Sequence, residues 1–465
     1  MRIDKSLLGA MALLSMASSC SRLAGPEYQP PEVPVKEQWS AESSNLGQIS
    51  PNWWSEFGDP NLDGLIEAAV GGNIDLQVAA GRIERAQALV QATGARRLPG
   101  IGLSGGAEYG LQSSGGGATS STETYQLGTS LSWEIDIWGK LQKGVAAAEA
   151  EYKASGADWR SAYLVLVSET AGEYFRLRQI DEQIHLYQRS IANSERTLSL
   201  YLIRAEENYV GRDTVLRQQA EVRRLQRELQ DLERQRKIAE NSLAVLTGKP
   251  PGELSIGYRR VRDQLHPVEV PAGLPADLLS RRPDILAAEY RVLAVYNLVG
   301  KARLDRLPSI SLTASGGSAS ASIGNLLSQW VLGVGPVISL PILDPGRQAE
   351  VEVREADLKI ASDQYRSVVI KAFQEVEDVL ISLSSRRIQQ GIADQAVSDL
   401  QKVREISSDK LEEGLISQLE VLETERSLLQ SEQVALSIHF LLLNDTVTLF
   451  KALGGGWDDS AMPTE

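Results

Sequence analysis

A single cysteine, Cys20, stands among 465 residues, so no intrachain disulfide can form and no cysteine cluster can hold a metal. Three histidines, His185, His266 and His439, are scattered without ligand spacing. Of four methionines, Met1, Met11 and Met16 precede Cys20 and Met462 sits near the end, which leaves no methionine relay for soft metals. Cationic surplus is missing as well: 47 Lys and Arg face 61 Asp and Glu, a net charge of −14, so nothing neutralises phosphates and nucleic acid is excluded as a partner. No nucleophile elbow, phosphate-binding glycine loop or Cys/His cluster occurs. Neither a catalytic residue nor a metal nor a bound cofactor is therefore expected, and the chain is not an enzyme on this reading. Past the first residues, no window offers 18 or more consecutive apolar residues, which excludes an ordinary spanning helix.

What is present begins with a compartment signal. A charged start, Met1-Arg2-Ile3-Asp4-Lys5, precedes an uncharged stretch from Leu7 to Ala17 and small residues Ser18-Ser19, which makes 1–19 a signal peptide too short to span a bilayer. Cys20 then resembles a bacterial lipoprotein processing site, where the cysteine becomes the acylated N-terminus, although Ala17 stands where leucine is usual. Ser21, rather than Asp, beside it resembles the signal for outer-membrane retention. A covalent lipid on Cys20 is expected. An exported membrane protein without a spanning helix must use a closed β-barrel.

The chain repeats itself. Ala95-Arg96-Arg97-Leu98-Pro99-Gly100-Ile101-Gly102-Leu103 recurs as Leu304-Asp305-Arg306-Leu307-Pro308-Ser309-Ile310-Ser311-Leu312, an offset of 209. Asp136-Ile137-Trp138-Gly139-Lys140 recurs as Asp344-Pro345-Gly346-Arg347, an offset of 208 closing to 207, and Gly211-Arg212-Asp213-Thr214 as Gly414-Leu415-Ile416-Ser417, an offset of 203. Three landmarks in one order indicate two copies of a unit of about 200 residues.

Within each copy the hydrophobic period switches. Tyr125, Leu127, Leu131, Trp133, Ile135 and Ile137 alternate with Gln126, Gly128, Ser130, Ser132, Glu134 and Asp136, one apolar and one polar face, as a strand between lipid and a wet lumen requires. Ile101 and Leu103, then Ile310, Leu312, Leu332, Val334, Ile338 and Leu340, keep the same period. Ser113 to Ser121 and Gly316 to Gly324, rich in Gly and Ser, are expected as exposed loops. After Gly139 the period becomes helical: Val145, Tyr152, Trp159 and Leu166 run at sevens, an eleven-residue step reaches Leu177, and Ile184, Ile191, Leu198 and Ala205 resume the sevens, a mixture that relaxes the supercoil. Lys140 to Tyr209 as one helix would be roughly 105 Å long. Gly211 is expected as a left-handed cap with Asp213 or Thr214 capping the returning helix, which stops near Thr247-Gly248-Lys249-Pro250; the helix of Asn61 to Arg96 fills the remaining length. The second copy has a long helix to Glu413, a turn at Gly414, and a Ser417/Glu420 capping box opening a shorter helix that ends at Leu453-Gly454-Gly455. The expected class is therefore mixed: a membrane β-barrel plus a long α-helical coiled-coil tunnel, two structural repeats and four strands per chain. Four strands cannot enclose a lumen, since about eight are needed merely to surround packed side chains, so the barrel must be shared between subunits.

Pro51-Asn52-Trp53-Trp54-Ser55-Glu56-Phe57-Gly58-Asp59-Pro60, Asn73-Ile74-Asp75-Leu76, Ala86, Leu278-Leu279-Ser280-Arg281-Arg282-Pro283-Asp284-Ile285, Ala288-Glu289 and Lys451-Ala452-Leu453-Gly454-Gly455-Gly456-Trp457 resemble the TolC-type outer-membrane efflux proteins, in their OprM/NodT-like lipoprotein branch. Gly25-Pro26-Glu27-Tyr28-Gln29-Pro30 fits the same branch. The resemblance implies a homotrimer with a twelve-stranded barrel in the cell outer membrane, in contact with its lipid, continuous with a helical tunnel through the periplasm. It implies a passive exit duct in a tripartite efflux system, with a periplasmic adaptor protein and an inner-membrane transporter of the resistance-nodulation-division type as partners. It also places a periplasmic gate at Leu419, Glu423 and Arg426, with Glu423 where the family often has Asp. The two turns, Gly211, Arg212, Asp213 and Thr214, and Gly414, Leu415 and Ser417, are the candidate adaptor docking tips. One stretch departs: Tyr296 to Arg306, before Leu307-Pro308, is more charged than the family's usual alanine-rich segment.

The resulting division is 1–19 signal peptide, 20–58 lipid-anchored periplasmic extension, 59–256 first repeat, 257–282 linker, 283–453 second repeat and 454–465 tail. Two other readings remain open at this point: the exit duct of a protein secretion system, and a lipid-anchored periplasmic coiled-coil scaffold without a pore.

Overall fold

The computed structural model describes residues 26–36, 38–39, 49–113, 119–262, 264–271, 273 and 275–456. Cys20, with its expected lipid, lies outside the described residues, as do the signal peptide, Gly25, Trp457 and the rest of the tail. In chain order the main elements are α1 (Pro60–Gly72), α2 (Ile74–Ala95), β1 (Gly100–Ser113), β2 (Thr119–Ile135), α3 (Lys140–Glu206), α4 (Arg212–Leu246), α5 (Pro283–Leu304), β3 (Ser309–Ser320), β4 (Val331–Ser339), α6 (Pro345–Glu412) and α7 (Gln418–Ala452). The chain divides into two compact units, one drawn from 1–33, 81–157 and 286–368, the other from 34–80, 158–285 and 369–465.

The first unit carries one antiparallel sheet in the order β1-β2-β3-β4. Its register puts Ile101 opposite Leu131, Trp133 opposite Leu312, Ile135 opposite Ile310, and Ile310 opposite Ile338. Directly opposed residues share a face, so the apolar residues of all four strands lie on one side. The other side carries Ser104, Gln126, Ser130, Ser132, Glu134, Ser311, Thr313, Ser315 and several glycines, with Val331 and Val337 as its larger apolar members. Much of the apolar side is open among the described residues: Leu103 is 78% and Val334 67% exposed. The Gly316–Gly324 stretch is not a loop at its start. Gly316 and Gly317 pair with Thr129 and Gly128 on one side and with Leu332 and Val331 on the other, and the connection spans 321–330. Likewise β2 begins at Thr119, two residues before the end of the expected first loop.

The strand-to-helix junctions explain the repeated Asp landmark. The Asp136 carboxylate accepts from the backbone N–H of Leu141 (3.0 Å) and Gln142 (2.7 Å), capping α3 across a left-handed Gly139. Asp344 accepts from the N–H of Arg347 at 3.2 Å and caps α6 with Pro345 opening the helix, which is why the second copy is one residue shorter. Asp305, in the unusually charged stretch, meets Lys140 at 3.2 Å and Arg347 at 3.4 Å, so one carboxylate sits at the start of both long helices. Arg303 of the same stretch pairs with Glu355 at 2.7 Å.

The second unit is built on aromatic burial. Trp53 is fully buried and stacks on Phe450 with centroids 4.6 Å apart, while Phe57 meets Phe175 edge-on at 5.0 Å. Buried Asp59 accepts from the Tyr174 hydroxyl (2.5 Å) and from Arg259 (2.9 Å). Burial works to raise its pKa, but these bonds and those from Asn61 win and hold it below the usual carboxylate value. Arg282 donates to the Ala452 carbonyl at 2.8 Å and pairs with Asp284 and Glu375, and left-handed Gly454 lies so close to Arg281 that an added Cβ would sit 2.9 Å from its carbonyl oxygen. The motifs that carry the family resemblance therefore lock the two repeats' helix ends together within this unit.

In α3 the heptad positions Trp159, Leu166, Leu177 and Ile184 are buried, whereas Val145, Tyr152, Ile191, Leu198 and Ala205 are half-buried. The helix expected over Asn61 to Arg96 is two helices. Asn73 adopts an extended conformation between α1 and α2, donates to the Leu246 carbonyl at 3.0 Å and accepts from the Leu76 N–H at 2.9 Å. Among the described residues, α7 is the one helix long and apolar enough by length and composition to cross a membrane. Its Leu436, Phe440, Leu443 and Phe450 are buried in the core of this unit, which accounts for the apolarity without a bilayer.

Candidate functional site

Both helix-to-helix tips and the expected gate fall in the second unit. At the first tip the left-handed residue is Asn208 (φ 59°), and the Tyr209 N–H reaches back to the Arg204 carbonyl at 2.8 Å. Gly211 is extended (φ −71°, ψ 150°) and serves as the N-cap of α4, so it is not the left-handed cap, and Asp213 and Thr214 lie inside the first turn and are not caps. At the second tip Gly414 (φ 76°) is left-handed, with the Leu415 N–H on the Lys410 carbonyl at 2.8 Å, and Ser417 is the N-cap of α7. The Ser417 N–H donates to the Glu420 carboxylate at 3.3 Å, as the capping-box reading expects. The two tips have one geometry, in which Asn208 corresponds to Gly414 and Gly211 to Ser417, an offset of 206. Matching glycine to glycine slips the alignment by three residues. Gly211, Arg212, Asp213, Gly414, Leu415 and Ser417 are exposed, and Thr214 is half-buried.

Leu419 and Glu423 are exposed on α7, one turn apart. Arg426 shares their face, but its guanidinium turns to α4 and meets Glu221 at 2.5 Å instead of pairing with Glu423. The expected three-residue cluster is thus an exposed Leu419/Glu423 pair and an arginine tied across helices. Glu221 is 3% exposed and also takes two bonds from Arg224, at 3.1 and 2.7 Å. Burial alone would raise its pKa; the hydrogen bonds of Arg224 and Arg426 overcome that and hold it down to about 2.

Around this pair the four helices border a hollow of about 30 Å³, room for one water, lined by Asn193 of α3, Glu221, Arg404 of α6, Glu425 and Arg426 together with leucines of α4 and α7. Burial pushes Glu425 up despite Arg404, and nearby Glu221 pushes the same way. Arg189 of α3 pairs with buried Glu432 of α7. Glu221, Arg224, Glu425, Arg189 and Glu432 escaped sequence reasoning. A signal was there: buried Val215, Gln218, Val222 and Leu225 form an α4 seam whose polar members, Gln218 with Glu221 beside it, interrupt an otherwise apolar stripe. Buried polar positions in a helical seam fix pairing more than they add stability.

The family model described as outer membrane efflux protein matches residues 65–249 and 274–455. The chain is 30% identical over 450 residues to the cation efflux system protein CusC of Escherichia coli O6:H1, covering 93% of this chain and 95% of that one. It is 31% identical over 464 residues to the pyoverdine export outer membrane protein OpmQ of Pseudomonas aeruginosa, covering 96% and 98%. The solved open state of the Neisseria gonorrhoeae MtrE outer membrane channel is similar with a TM-score of 0.82 and 29% identity, over 93% of this chain and 98% of that chain.

Because the folded-state pKa of Glu221 lies below its unfolded value of 4.5, its contribution to stability is complete above that pH and is lost as pH falls toward about 2. Arg426→Ala removes one of its two guanidinium partners and raises the folded-state pKa toward the unfolded value, so the variant should lose less stability on acidification and the loss should be complete at a higher pH. At neutral pH the cost should be about 1–2 kcal/mol, kept modest because Arg426 is half exposed. Thermal unfolding followed by circular dichroism between pH 7 and 2 checks this; superimposable profiles for both proteins would contradict it.

Proposed function

The chain belongs to the outer membrane efflux protein family, and we propose that three copies of it close a twelve-stranded barrel that opens into a helical tunnel. The duct is passive. Small solutes delivered by an inner-membrane transporter, of the resistance-nodulation-division type, through a periplasmic adaptor leave through it, and a lipid on Cys20 adds an anchor. Cargo selection belongs to the pump, so the names of relatives that export cations or pyoverdine do not transfer.

The observation that carries this reading is the sheet: four strands, apolar on one face and polar on the other, with the outer edges of β1 and β4 unpaired among the described residues. Lipid does not tolerate open edges, so neighbouring copies must supply the missing ladders. A pore-free scaffold would have no use for such a sheet. The helices support the same assembly. In the second unit α6 buries Val369, Ala372, Val376, Val379 and Leu383, yet leaves Ile370, Ile381, Ile388, Ile392, Val403 and Ile406 exposed. At 3.6 residues per turn those exposed residues fall within about 60° of arc, on the side opposite the buried stripe. A helix apolar on two opposite faces packs against its own chain with one and against another copy with the other.

Leu419 and Glu423 would form an apolar and an acidic ring at the narrow end, and the exposed tips would meet adaptor helices. The pH-sensitive Glu221–Arg426 tie holds α7 to α4 directly beside that ring.

Planar-bilayer recordings of the purified protein should show a small, cation-preferring conductance that rises several-fold in Glu423→Ala. An unchanged conductance would remove the gate from this position. Arg212→Glu should abolish drug export in cells while the trimer assembles normally; full export would mean that the first tip is not the docking surface.

A further inference from the structure

We propose that the apolar face of the sheet carries a seat for one acyl chain of an outer-leaflet lipid, in the trough between Leu103 and Leu332 beneath Trp330. The proposal rests on the reading that this face meets lipid. Leu103, Thr129, Gly316 and Leu332 are directly opposed across all four strands, so their side chains form one row on one face. The two central members are small and the two outer ones are leucines. In the next row Leu127 stands between Gly105 and Ser318, which lengthens the hollow along the strands. The result is a cavity of about 250 Å³.

Glycine keeps it open. A Cβ at Gly316 would lie 3.0 Å from the Thr129 methyl and 3.4 Å from Leu332 Cδ1. The roof is the β3–β4 connection, where Leu327 and Trp330 are 75% and 73% exposed. The Ser318 hydroxyl donates to the Leu326 carbonyl and holds that connection down.

The chemistry of the lining selects an apolar occupant. No charged side chain borders the hollow, and both of its hydroxyls already donate within the chain, Ser318 to Leu326 and Thr129 to the Gly102 carbonyl at 3.2 Å. A polar ligand would find no charged group and no free hydroxyl; a flexible hydrocarbon chain restores the dispersion contacts that an unfilled hollow forfeits. Continuity with the apolar band of the sheet names the source as membrane lipid. A second copy of the chain would pair at the β1 and β4 edges, leaving the face over β2 and β3 free. The leaflet follows from position: the trough lies just inside the level where Tyr125 pairs with Ser320, at the end of the sheet away from α3 and α6, where an aromatic belt marks the outer interface.

Native mass spectrometry of the trimer released from bilayers of dipalmitoylphosphatidylethanolamine reads the seat, with bilayer conductance recorded on the same preparations. The wild type should retain up to one lipid per protomer. Thr129→Trp, which fills the trough, should lose it, and Leu327→Ala, which opens the roof without touching the strand ladder, should retain markedly less. Equal lipid retention in wild type and both variants, or none in a conducting wild type, would overturn the seat and leave the duct intact. A wild type that neither conducts nor forms trimers would overturn both.

Discussion

Two rows of backbone N–H and C=O groups, on the outer edges of β1 and β4, govern the rest of this structure. Each such group left without a partner in hydrocarbon costs several kcal/mol. Among the described residues the cost is not met within one chain, because the four strands run in a single open order and stop. Closure by identical neighbours satisfies both edges at once, and a cyclic arrangement makes every junction the same β4-to-β1 contact. The alternation of side chains then follows, since closing the sheet puts one face toward lipid and the other toward a lumen.

The helical part inherits that symmetry. Each strand pair feeds a helix capped by its own aspartate, Asp136 for α3 and Asp344 for α6, and Asp305 bonds to the first basic residue of both. Barrel and tunnel are therefore joined by short polar contacts in each repeat and not by a flexible linker. In the second unit the seam between helices changes character along the chain. Around Trp53, Phe175 and Phe450 it is built on packed aromatic rings, whereas around Glu221, Arg426 and Glu432 it is ionic and borders a hollow. A well-packed apolar seam is fixed by shape, whereas the buried carboxylates of the ionic one fix which helix residues pair.

Much of this was legible in the sequence because it rests on periodicity. The period of two read from Tyr125 to Ile137 is β2 as far as Ile135, where the strand ends two residues early, and the sevens with an eleven-residue step are α3. Errors arose where glycine or charge has more than one use. Gly316 and Gly317 belong to a strand: the absent side chain of Gly316 leaves the trough on the apolar face open, and Gly317 lies on the opposite face. Gly211 caps a helix start while Asn208 takes the left-handed position, since asparagine tolerates that region. Asn73 breaks a continuous helical pattern by bonding to a carbonyl 173 residues away, a partner that local reasoning does not see. That Leu419 and Glu423 share an exposed face of α7 was legible as a spacing, but Arg426 chose its partner across helices, and its bond to Glu221 depends on packing that no pattern within α7 encodes.

The central claim is that identical chains complete one another's sheet. Single cysteines placed in turn along β4 from Val331 to Ser339, each combined with Gly102→Cys on β1, test it through oxidative cross-linking in isolated outer membranes. Closure predicts that one register position yields a covalent ladder ending at the trimer, with its neighbours much weaker. Monomeric bands at every position, or a ladder that continues past the trimer, would contradict it.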